Sequence, residues 1–571
     1  MPVTTYRHMC SLLTRATLMV AVATILSMGA LCSTAEASPT AIGRGPNALE
    51  VIDMGTNAYA QSVLPNMGMN YWCLLANAEE PGGRYGMRYH CPSIGTKAVS
   101  IGPDSELALS MAKAGSGTVL AGYGFSNAAS WPLLVKLTQA GQLDAAFGGG
   151  DGIAKDDLHP TLTHALLTGV GVQQVGGNSG KVVVCGVAWD VSGGHSEIIV
   201  ARYTAAGGLD PTFGTNGITI VTRSATARDV ANSLTVLPDD RVVVVGSTAV
   251  TPSSASDFLA VGLTNNGALN PAFGVAGMTT VNAGARAGAW SVTTYSPYRF
   301  PVSQAVIVSG SYRDARNLVY PVVHRLRANG TLDDFGGARR MKISTFYDSN
   351  PRVLQYVPVV EQDDGRVYVG AEVDWAIDTD LTAARLTSTG AYDPKFARGG
   401  MNQIDTMPGA AHDQESVSDI AELTNGLSLV GTSWRRGRWT PFVVALRNDY
   451  SPSRPRRSSF APLTSKNTIR NCGGAKQPAC VTARRKALRL GMGVMRVKKT
   501  EPVVLHVYKV TKNGWTSYRE HKLMLRGSGK WKAVIYQLRG LPRGKYRLAM
   551  TRNPTEMDAS IFNGFMRVRV I

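Results

Sequence analysis

The chain has 571 residues, of which 44% are hydrophobic and 17% are charged, and its formal net charge is +19. Beyond the first 32 residues, no segment is long and apolar enough to cross a bilayer, which excludes a multispanning membrane protein. The charge is uneven, because residues 463–571 contain 24 Lys and Arg against 4 Asp and Glu. The basic character therefore belongs to the C-terminal part, and the remainder of the chain is close to neutral.

The N-terminal segment has the layout of a cleavable secretory signal. Two arginines precede an apolar stretch over residues 16–32, and the small-residue motif AEA follows at residues 35–37. We predict that residues 1–37 are a signal peptide and that the mature chain begins at Ser38, without a transmembrane segment. An uncleaved anchor is disfavoured because the stretch is shorter than the roughly 20 residues of a membrane span. We therefore expect an exported protein that is periplasmic, cell-surface or secreted.

Export permits disulfides, and the mature chain keeps five cysteines. Cys73 and Cys91 lie in two consecutive strand-like runs that can pair as a hairpin, while Cys472 and Cys480 flank a short loop. We predict one disulfide within each of these pairs and a buried free thiol at Cys185. Metal binding is the alternative, but no CxxC motif or closely spaced Cys and His group occurs, so we predict neither a metal site nor a cofactor.

A phrase related to LDPTFG recurs about every 60 residues between residues 100 and 450. Its phenylalanines are Phe147, Phe213, Phe273, Phe335 and Phe396. A second marker keeps step with it, namely a short apolar run that ends in glycine, such as VVVCG at Gly186 and VVVVG at Gly246. A fixed period of this kind indicates an array of similar supersecondary units.

Each unit contains short β-branched or alternating runs, separated by clusters of turn residues and without helical periodicity. We therefore predict an all-β fold in which residues 38–450 form a β-propeller of about seven blades. The orphan run NALEVID at residues 47–53 is expected to add the strand that the last unit lacks. An open β-solenoid is disfavoured because the units are long and their loops are variable.

The repeat resembles that of the bacterial delta-60 repeat proteins. The best matches are IIVARYTAAGGLDPTFGTNG at residues 198–217 and DFLAVGLTNNGALNPAFGVAG at residues 257–277. The resemblance implies propeller-like blades on an exported bacterial protein with no agreed enzymatic activity, and it brings no catalytic residues. Phrase residues such as Asp210 and Phe213 are expected to be turn and core elements.

The composition changes after Tyr450. Residues 451–462 are rich in Pro, Ser and Arg and are predicted to be a linker. Residues 463–571 contain several alternating runs separated by turn signals, which predicts a small basic β-sandwich of immunoglobulin-like shape. The candidate anion-binding residues in these runs are Lys509, Lys522, Arg547, Arg567 and Arg569. Outward-facing cations on strands create a positive field that attracts anions.

Candidates for catalysis are weak, and we predict no catalytic residues. The segment at residues 151–165 holds the acidic residues and histidines Asp151, Asp156, Asp157, His159 and His164. These residues could form a metal or acid–base cluster, but their spacing fits no ligand pattern and predicts a solvated connection. The run GGGDG at residues 148–152 lacks the further acidic ligands of a calcium loop. The pairs Asp239-Asp240 and Asp363-Asp364 are expected to lie in hairpin turns.

Together these features predict an exported, non-enzymatic binding or scaffold protein of the bacterial envelope. The propeller would dock a protein or a glycan, and the basic module would hold anionic envelope polymers or lipid head groups. Nucleic acid is not expected, because nothing in the chain matches a DNA or RNA recognition module. The alternative is an extracytoplasmic enzyme acting on polysaccharide, with carboxylates at the mouth of the propeller channel.

Overall fold

The computed structural model describes residues 47–447 with short gaps and, beyond them, the backbone of strands between residues 469 and 570. The gaps fall at residues 67–70, 127–128, 191–193, 252–253, 282–285, 295–304, 314–318, 336–340, 343–351, 354–355, 363–364, 375–378, 397–399, 405, 407–413, 424–425 and 436. The predicted signal peptide and linker lie outside the described residues. Within these limits no helix is long and apolar enough to span a membrane.

The secondary structure is all β, apart from one 3₁₀ turn at Gly176–Asn178. After an N-terminal strand, β1 (Asn47–Val51), successive groups of antiparallel strands follow along the chain. The first group comprises β2 (Ala58–Asn66), β3 (Tyr71–Glu80), β4 (Arg84–Cys91) and β5 (Gly95–Val99). The second comprises β6 (Ser105–Ala114), β7 (Gly117–Phe125), β8 (Ser130–Leu137) and β9 (Ile153–Ala154).

The next two groups are joined by one parallel bridge, between Ser196 and Arg228. One comprises β10 (His164–Val172), β11 (Val182–Trp189), β12 (Ser196–Tyr203) and β13 (Ile218–Val221). The other comprises β14 (Arg228–Val236), β15 (Val242–Ala249), β16 (Asp257–Leu263) and β17 (Met278–Val281).

The remaining groups before residue 448 have the same order of antiparallel strands. One comprises β18 (Arg286–Thr294), β19 (Val306–Arg313), β20 (Val319–Leu326), β21 (Leu332–Asp333) and β22 (Met341–Lys342). The next comprises β23 (Arg352–Val353), β24 (Val359–Glu361), β25 (Val367–Asp374), β26 (Thr379–Leu386) and β27 (Met401–Ile404). The last comprises β28 (Glu415–Leu423), β29 (Gly426–Arg435) and β30 (Arg438–Arg447).

These groups are arranged as the blades of a β-propeller. The inner strands contact one another in chain order, from β2 through β6, β10, β14, β18 and β24 to β28, and β28 in turn contacts β2. The buried apolar clusters lie between consecutive groups, and one of them joins Trp72 and Leu74 of the first group to Val430 and Val443 of the last. The core is therefore a series of joints between neighbouring sheets.

The orphan strand completes the last sheet, as the sequence predicts. Strand β1 pairs antiparallel with β30, from Asn47 opposite Leu446 to Val51 opposite Phe442. Leu49 packs against the cluster that contains Phe442. The strand nearest the N-terminus of the propeller therefore lies at the outer edge of its final sheet.

The inner strands carry a recurrent β-bulge, and the extra residue binds the next sheet. Thr168 Oγ1 donates to the Ala231 carbonyl at 3.0 Å, and Asn232 Nδ2 donates to the Ala289 carbonyl at 2.7 Å. At the ring seam, Ser418 Oγ donates to the Ala60 carbonyl at 2.7 Å. A bulge leaves one residue outside the strand ladder, and here that residue links neighbouring sheets around the ring.

The repeated phrase forms the outer joint between sheets. Phe213 is fully buried, and a Cβ on Gly267 of the following group would lie 2.6 Å from its ring. Gly267 also has φ +84°, so glycine is required there for two reasons. The Gly214 amide donates to the Asn266 carbonyl at 2.8 Å. The predicted roles of the phrase residues as turn and core elements are confirmed.

The first predicted disulfide is confirmed. Cys73 on β3 and Cys91 on β4 are bonded across the hairpin, and Cys185 is a free, buried cysteine on β11. Burial raises the pKa of the Cys185 thiol to about 12, so this thiol is un-ionised at neutral pH. The second predicted disulfide lies outside the described residues, since Cys472 and the side chain of Cys480 fall there.

The C-terminal part is described as backbone strands. They are β31 (Ile469–Arg470), β32 (Cys480–Ala483), β33 (Ala487–Val494), β34 (Glu501–Thr511), β35 (Gly514–Leu525), β36 (Lys532–Arg539), β37 (Gly544–Arg552) and β38 (Met566–Val570). One sheet has the order β31-β32-β38-β37-β34-β35, and β33 pairs with β36.

Candidate functional site

The segment at residues 151–165 contributes one member of a buried polar cluster. His159 Nε2 lies 2.6 Å from Oε2 of Glu197, and His195 Nε2 lies 3.3 Å from Oε1 of the same carboxylate. Thr222 Oγ1 donates to Glu197 Oε1 at 2.5 Å. Glu197 lies on β12, and His195 lies in the loop that precedes it. The two histidines therefore approach one carboxylate from two different loops.

The hydrogen bonds of His159 define its protonation state. Its Nδ1 accepts from the amides of Thr161 and Leu162 at 3.2 and 2.9 Å, so this nitrogen carries no proton. The proton is then on Nε2, which donates to Glu197. A protonated Nε2 cannot bind a metal. Consistently, no group of three or more His, Cys, Asp or Glu side chains suited to a metal ion occurs among the described residues.

His195 is held differently, because both of its ring nitrogens face acceptors. Its Nδ1 lies 3.0 Å from the Ala227 carbonyl, and its Nε2 faces Glu197. Both contacts are satisfied only when both nitrogens carry protons. Burial by itself would raise the pKa of Glu197, but hydrogen bonds from Thr222 and His159 and the nearby charge of His195 outweigh it and lower the pKa. Because Ala227 directly precedes β14, the cluster joins two neighbouring sheets.

The other polar residues of this segment do not converge on a site. Asp151 accepts from the Ile153 amide and Asp157 from the His159 amide, as turn residues do. His164 stacks on Trp189, with 5.5 Å between the ring centres. Asp151 and Asp157 are exposed, in agreement with a solvated connection, whereas Asp156 is half-buried and hydrogen-bonded to Tyr203, and His159 is buried.

Two further motifs lie in turns, as the sequence predicts. Asp240 has φ +65° in a hairpin turn, and its carboxylate accepts from the amides of Gln174 and Val175 at 2.7 and 3.0 Å. The glycine run at residues 148–152 is a tight turn with several positive φ angles. Asp363 and Asp364 lie outside the described residues.

The sequence analysis missed a buried cation in the repeated unit. Arg202 Nε lies 2.9 Å from Asp210 Oδ2, and its guanidinium lies 4.9 Å from the centre of the Phe213 ring. Burial would raise the pKa of Asp210, but bonds from Lys181 and Thr212 and the charge of Arg202 lower it well below its usual range. The same trio recurs as Arg325, Asp333 and Phe335 and as Arg385, Asp393 and Phe396. Lys136 replaces the arginine beside Asp144 and Phe147.

One unit departs from this pattern in a consistent way. At the same positions the fourth group of strands has Gly262, Asn270 and Phe273, so the cation and the carboxylate are both absent. A Cβ on Gly262 would lie 2.4 Å from the Phe273 ring, so this ring lies too close to the strand for a side chain at position 262. The trio is therefore a structural clamp, since a catalytic group would not recur in several joints.

The register of the C-terminal sheet locates the candidate anion-binding residues. On β37 and β38, Arg547 is opposite Arg567, and Lys545 is opposite Arg569. Arg547 is also opposite Tyr508 of β34, and Lys522 of β35 is opposite Val504, four residues before Tyr508. Because residues on a strand alternate between faces, positions 522, 545, 547, 567 and 569 share one face.

The opposite face of this sheet has a different composition. The positions that share it include Leu505, Val507, Leu548 and Val568. Lys509 belongs to this second face, because it is opposite Tyr546 rather than Arg547. The register thus separates Lys509 from the other four candidates and adds Lys545 to their face.

The comparisons with known proteins bear on the fold of this chain. A family model described as a β-propeller domain of unknown function, DUF5122, matches residues 178–213. This match and the strand arrangement both support a β-propeller family. No curated protein matches the chain.

Among solved structures, Trypanosoma rangeli sialidase in complex with the inhibitor DANA is 8% identical, with a TM-score of 0.36, over 85% of this chain and 88% of that one. Sqt1 from Chaetomium thermophilum is 10% identical, with a TM-score of 0.35, over 68% of this chain and 85% of that one. Similarity at this level transfers no active-site residue and no activity.

Proposed function

We propose that the chain is an exported, non-enzymatic binding or scaffold protein of the bacterial envelope. In this proposal residues 38–450 form a seven-bladed delta-60-type propeller, and residues 463–571 form an immunoglobulin-like sandwich that binds anionic envelope polymers or lipid head groups. Residues 451–462 link the two. The disulfide between Cys73 and Cys91 is compatible with export, because such bonds persist in oxidising compartments.

Two features support the architecture of this proposal. The inner strands contact one another in a closed series, and β1 supplies the outer strand of the last group. The third and fourth groups each have their own four strands, although one bridge joins them. In this proposal the two groups are counted as separate blades of a seven-bladed ring.

The observation that carries the binding function is the register of the C-terminal sheet. It places Arg547 opposite Arg567 and Lys545 opposite Arg569 on a single face. Like charges directly opposite each other destabilise a sheet, so this arrangement is unfavourable unless an anion neutralises it. A surface of fixed cations attracts any polyanion, and a phosphate-bearing lipid or an acidic polysaccharide presents the same chemistry.

The test compares two triple variants of the full chain. In the first, Arg547, Arg567 and Arg569 are changed to Gln; in the matched control, the exposed Lys97, Lys155 and Lys395 of the propeller are changed to Gln. Binding is measured on heparin, as a soluble acidic polysaccharide, and on phosphatidylglycerol vesicles. At about 1 kcal/mol for each cation near an anionic surface, the first variant should bind about 100-fold more weakly.

The two ligands separate the two sources of anion. Loss on heparin alone assigns the face to acidic polysaccharide, and loss on vesicles alone assigns it to lipid head groups. Equal loss in both triple variants would mean that binding follows overall charge, and no loss in the first would exclude the C-terminal face. Thermal melts of each variant control for folding.

A further inference from the structure

A row of aromatic side chains crosses the seam between the last and first groups of strands. Trp434 of β29 and Trp439 of β30 are directly opposite each other, with ring centres 5.4 Å apart in a T-shaped arrangement. Tyr59 of β2 lies 6.1 Å from Trp439. Trp434 is 40% exposed, and among the large exposed apolar side chains of the described residues it alone is aromatic.

Polar groups are held in place beside this row. The Trp439 amide donates to Asn57 Oδ1 at 2.9 Å, and Asn57 Nδ2 donates to Glu79 Oε2 at 2.8 Å. Arg438 forms an ion pair with Asp53. Asn57 and Glu79 therefore lie beside the aromatic row, and their mutual bond orients them before any ligand arrives, whereas Arg438 and its partner Asp53 belong to the opposite face of the hairpin.

The size of the exposed aromatic surface indicates the kind of ligand. Tryptophan presents up to about 250 Å² when fully exposed, so Trp434 offers roughly 100 Å². A stable protein interface needs about 800 Å² on each partner, which is far more than this patch supplies. One indole matches one sugar ring, whose C–H face is apolar and whose edge carries hydroxyl groups.

The charges around the row indicate that the ligand is neutral. Arg438 is balanced by Asp53, and Glu79 adds a second carboxylate. Arg435, on the same hairpin, donates to Ser433 Oγ and to Thr406, and so it holds the hairpin in place. The row therefore borders a carboxylate and an amide, which suit hydroxyl groups, whereas Glu79 would repel a sulfate or carboxylate.

We propose that the seam binds a neutral saccharide, with one pyranose ring against Trp434 and its hydroxyl groups bonded to Asn57 and Glu79. The proposal rests on the proposed function only in giving the propeller a glycan-docking role. It does not involve the basic C-terminal face, so either site can fail without the other.

The experiment screens the full chain on an array of neutral oligosaccharides and then titrates the strongest hit in solution at high salt. The Trp434→Ala variant should bind that sugar about tenfold more weakly, because stacking on an aromatic ring contributes on the order of 1 kcal/mol. Trp434→Phe should keep most of the affinity. The matched control is Val275→Ala, which shortens an exposed apolar side chain elsewhere on the propeller.

Three results would overturn the proposal. They are no binding of the wild-type chain to the array, equal affinity of wild type and Trp434→Ala, and equal weakening by Val275→Ala. The Arg547, Arg567 and Arg569 triple variant should bind the neutral sugar normally, and Trp434→Ala should bind heparin normally. Failure of the C-terminal function would appear in the heparin and vesicle measurements and not in the neutral-sugar titration.

Discussion

At the position of Arg202, the buried cation and its carboxylate are either both present or both absent in the repeated units. Arg202 is fully buried between Asp210 and the Phe213 ring, and the corresponding positions in the next unit are Gly262 and Asn270. Removing one member of a buried ion pair leaves an uncompensated charge, whereas removing both can be nearly neutral. The fourth group of strands corresponds to the second case, because it lacks both the cation and the carboxylate.

We expect Arg202→Met to destabilise the propeller by about 3 kcal/mol, because Asp210 keeps only Lys181 as a cationic partner. The double variant Arg202→Met with Asp210→Asn should recover most of this loss. Denaturant titration of both single variants and the double variant gives the coupling energy. Additive effects of the two substitutions would contradict the clamp.

Asp419 on β28 makes the seam sensitive to pH. It accepts from Ser62 Oγ at 2.8 Å and from the Val63 amide at 2.9 Å, and burial raises its pKa to about 6 from the usual 3.8. A folded-state pKa above the unfolded value favours the folded state at low pH. The contribution is fully present below about pH 4 and is lost as the pH rises through 6.

Asp419→Asn mimics the protonated acid and keeps an acceptor for Ser62 and Val63. We therefore expect this variant to be more stable than the wild type at pH 8, by about 3 kcal/mol, and equally stable at pH 4. Melting curves across this range measure the difference. A variant that is less stable at every pH would show that the carboxylate is needed in its ionised form.

At the scale of strands, much of the propeller is predictable from the sequence, because the signals are local. The repeated glycines and Phe213 lie where neighbouring sheets meet, and this arrangement recurs with the sequence repeat. Cys73 and Cys91 belong to adjacent strands of one hairpin. Glu197 could not be assigned to His159 in this way, because 38 residues separate them and the contact depends on how two loops meet.

Arg202 was missed for a different physical reason. Strand β12 is buried on both faces, so its residues do not alternate between apolar and polar, and a cation within it gives no indication of where it points. On β38 the alternation MRVRV does predict the two faces, and the register agrees with that pattern.

The disulfide stabilises one hairpin by shortening a loop in the unfolded chain. The two cysteines are 18 residues apart, and closing a loop of that size contributes about 3 kcal/mol. We expect Cys73→Ala with Cys91→Ala to lose about this much, and the wild type under reducing conditions to behave in the same way. Cys185 should stay unlabelled by iodoacetamide in the folded protein. A double variant with wild-type stability would contradict the prediction.

At the scale of the whole molecule, the last sheet of the ring is completed by β1, which comes from the N-terminal end of the propeller. A chain that begins at residue 52 lacks β1 and exposes the edge of β30, whereas a chain that begins at residue 47 keeps it. We expect the shorter chain to be less stable by on the order of 3 kcal/mol, from lost main-chain hydrogen bonds and from Leu49 burial. Equal melting temperatures for the two chains would show that β1 is dispensable.

The pairing of β1 with β30 also sets an order of events for a newly made chain. Strand β1 has to wait until β30 is synthesised, and throughout that interval β1 lacks its partner. Where many chains emerge together, the open β30 edge of one copy can accept β1 from another. Synthesis at high local concentration should therefore favour domain-swapped dimers, in which two rings exchange β1, over separate monomers. The hinge of such a swap would be the short segment between Val51 and Ala58.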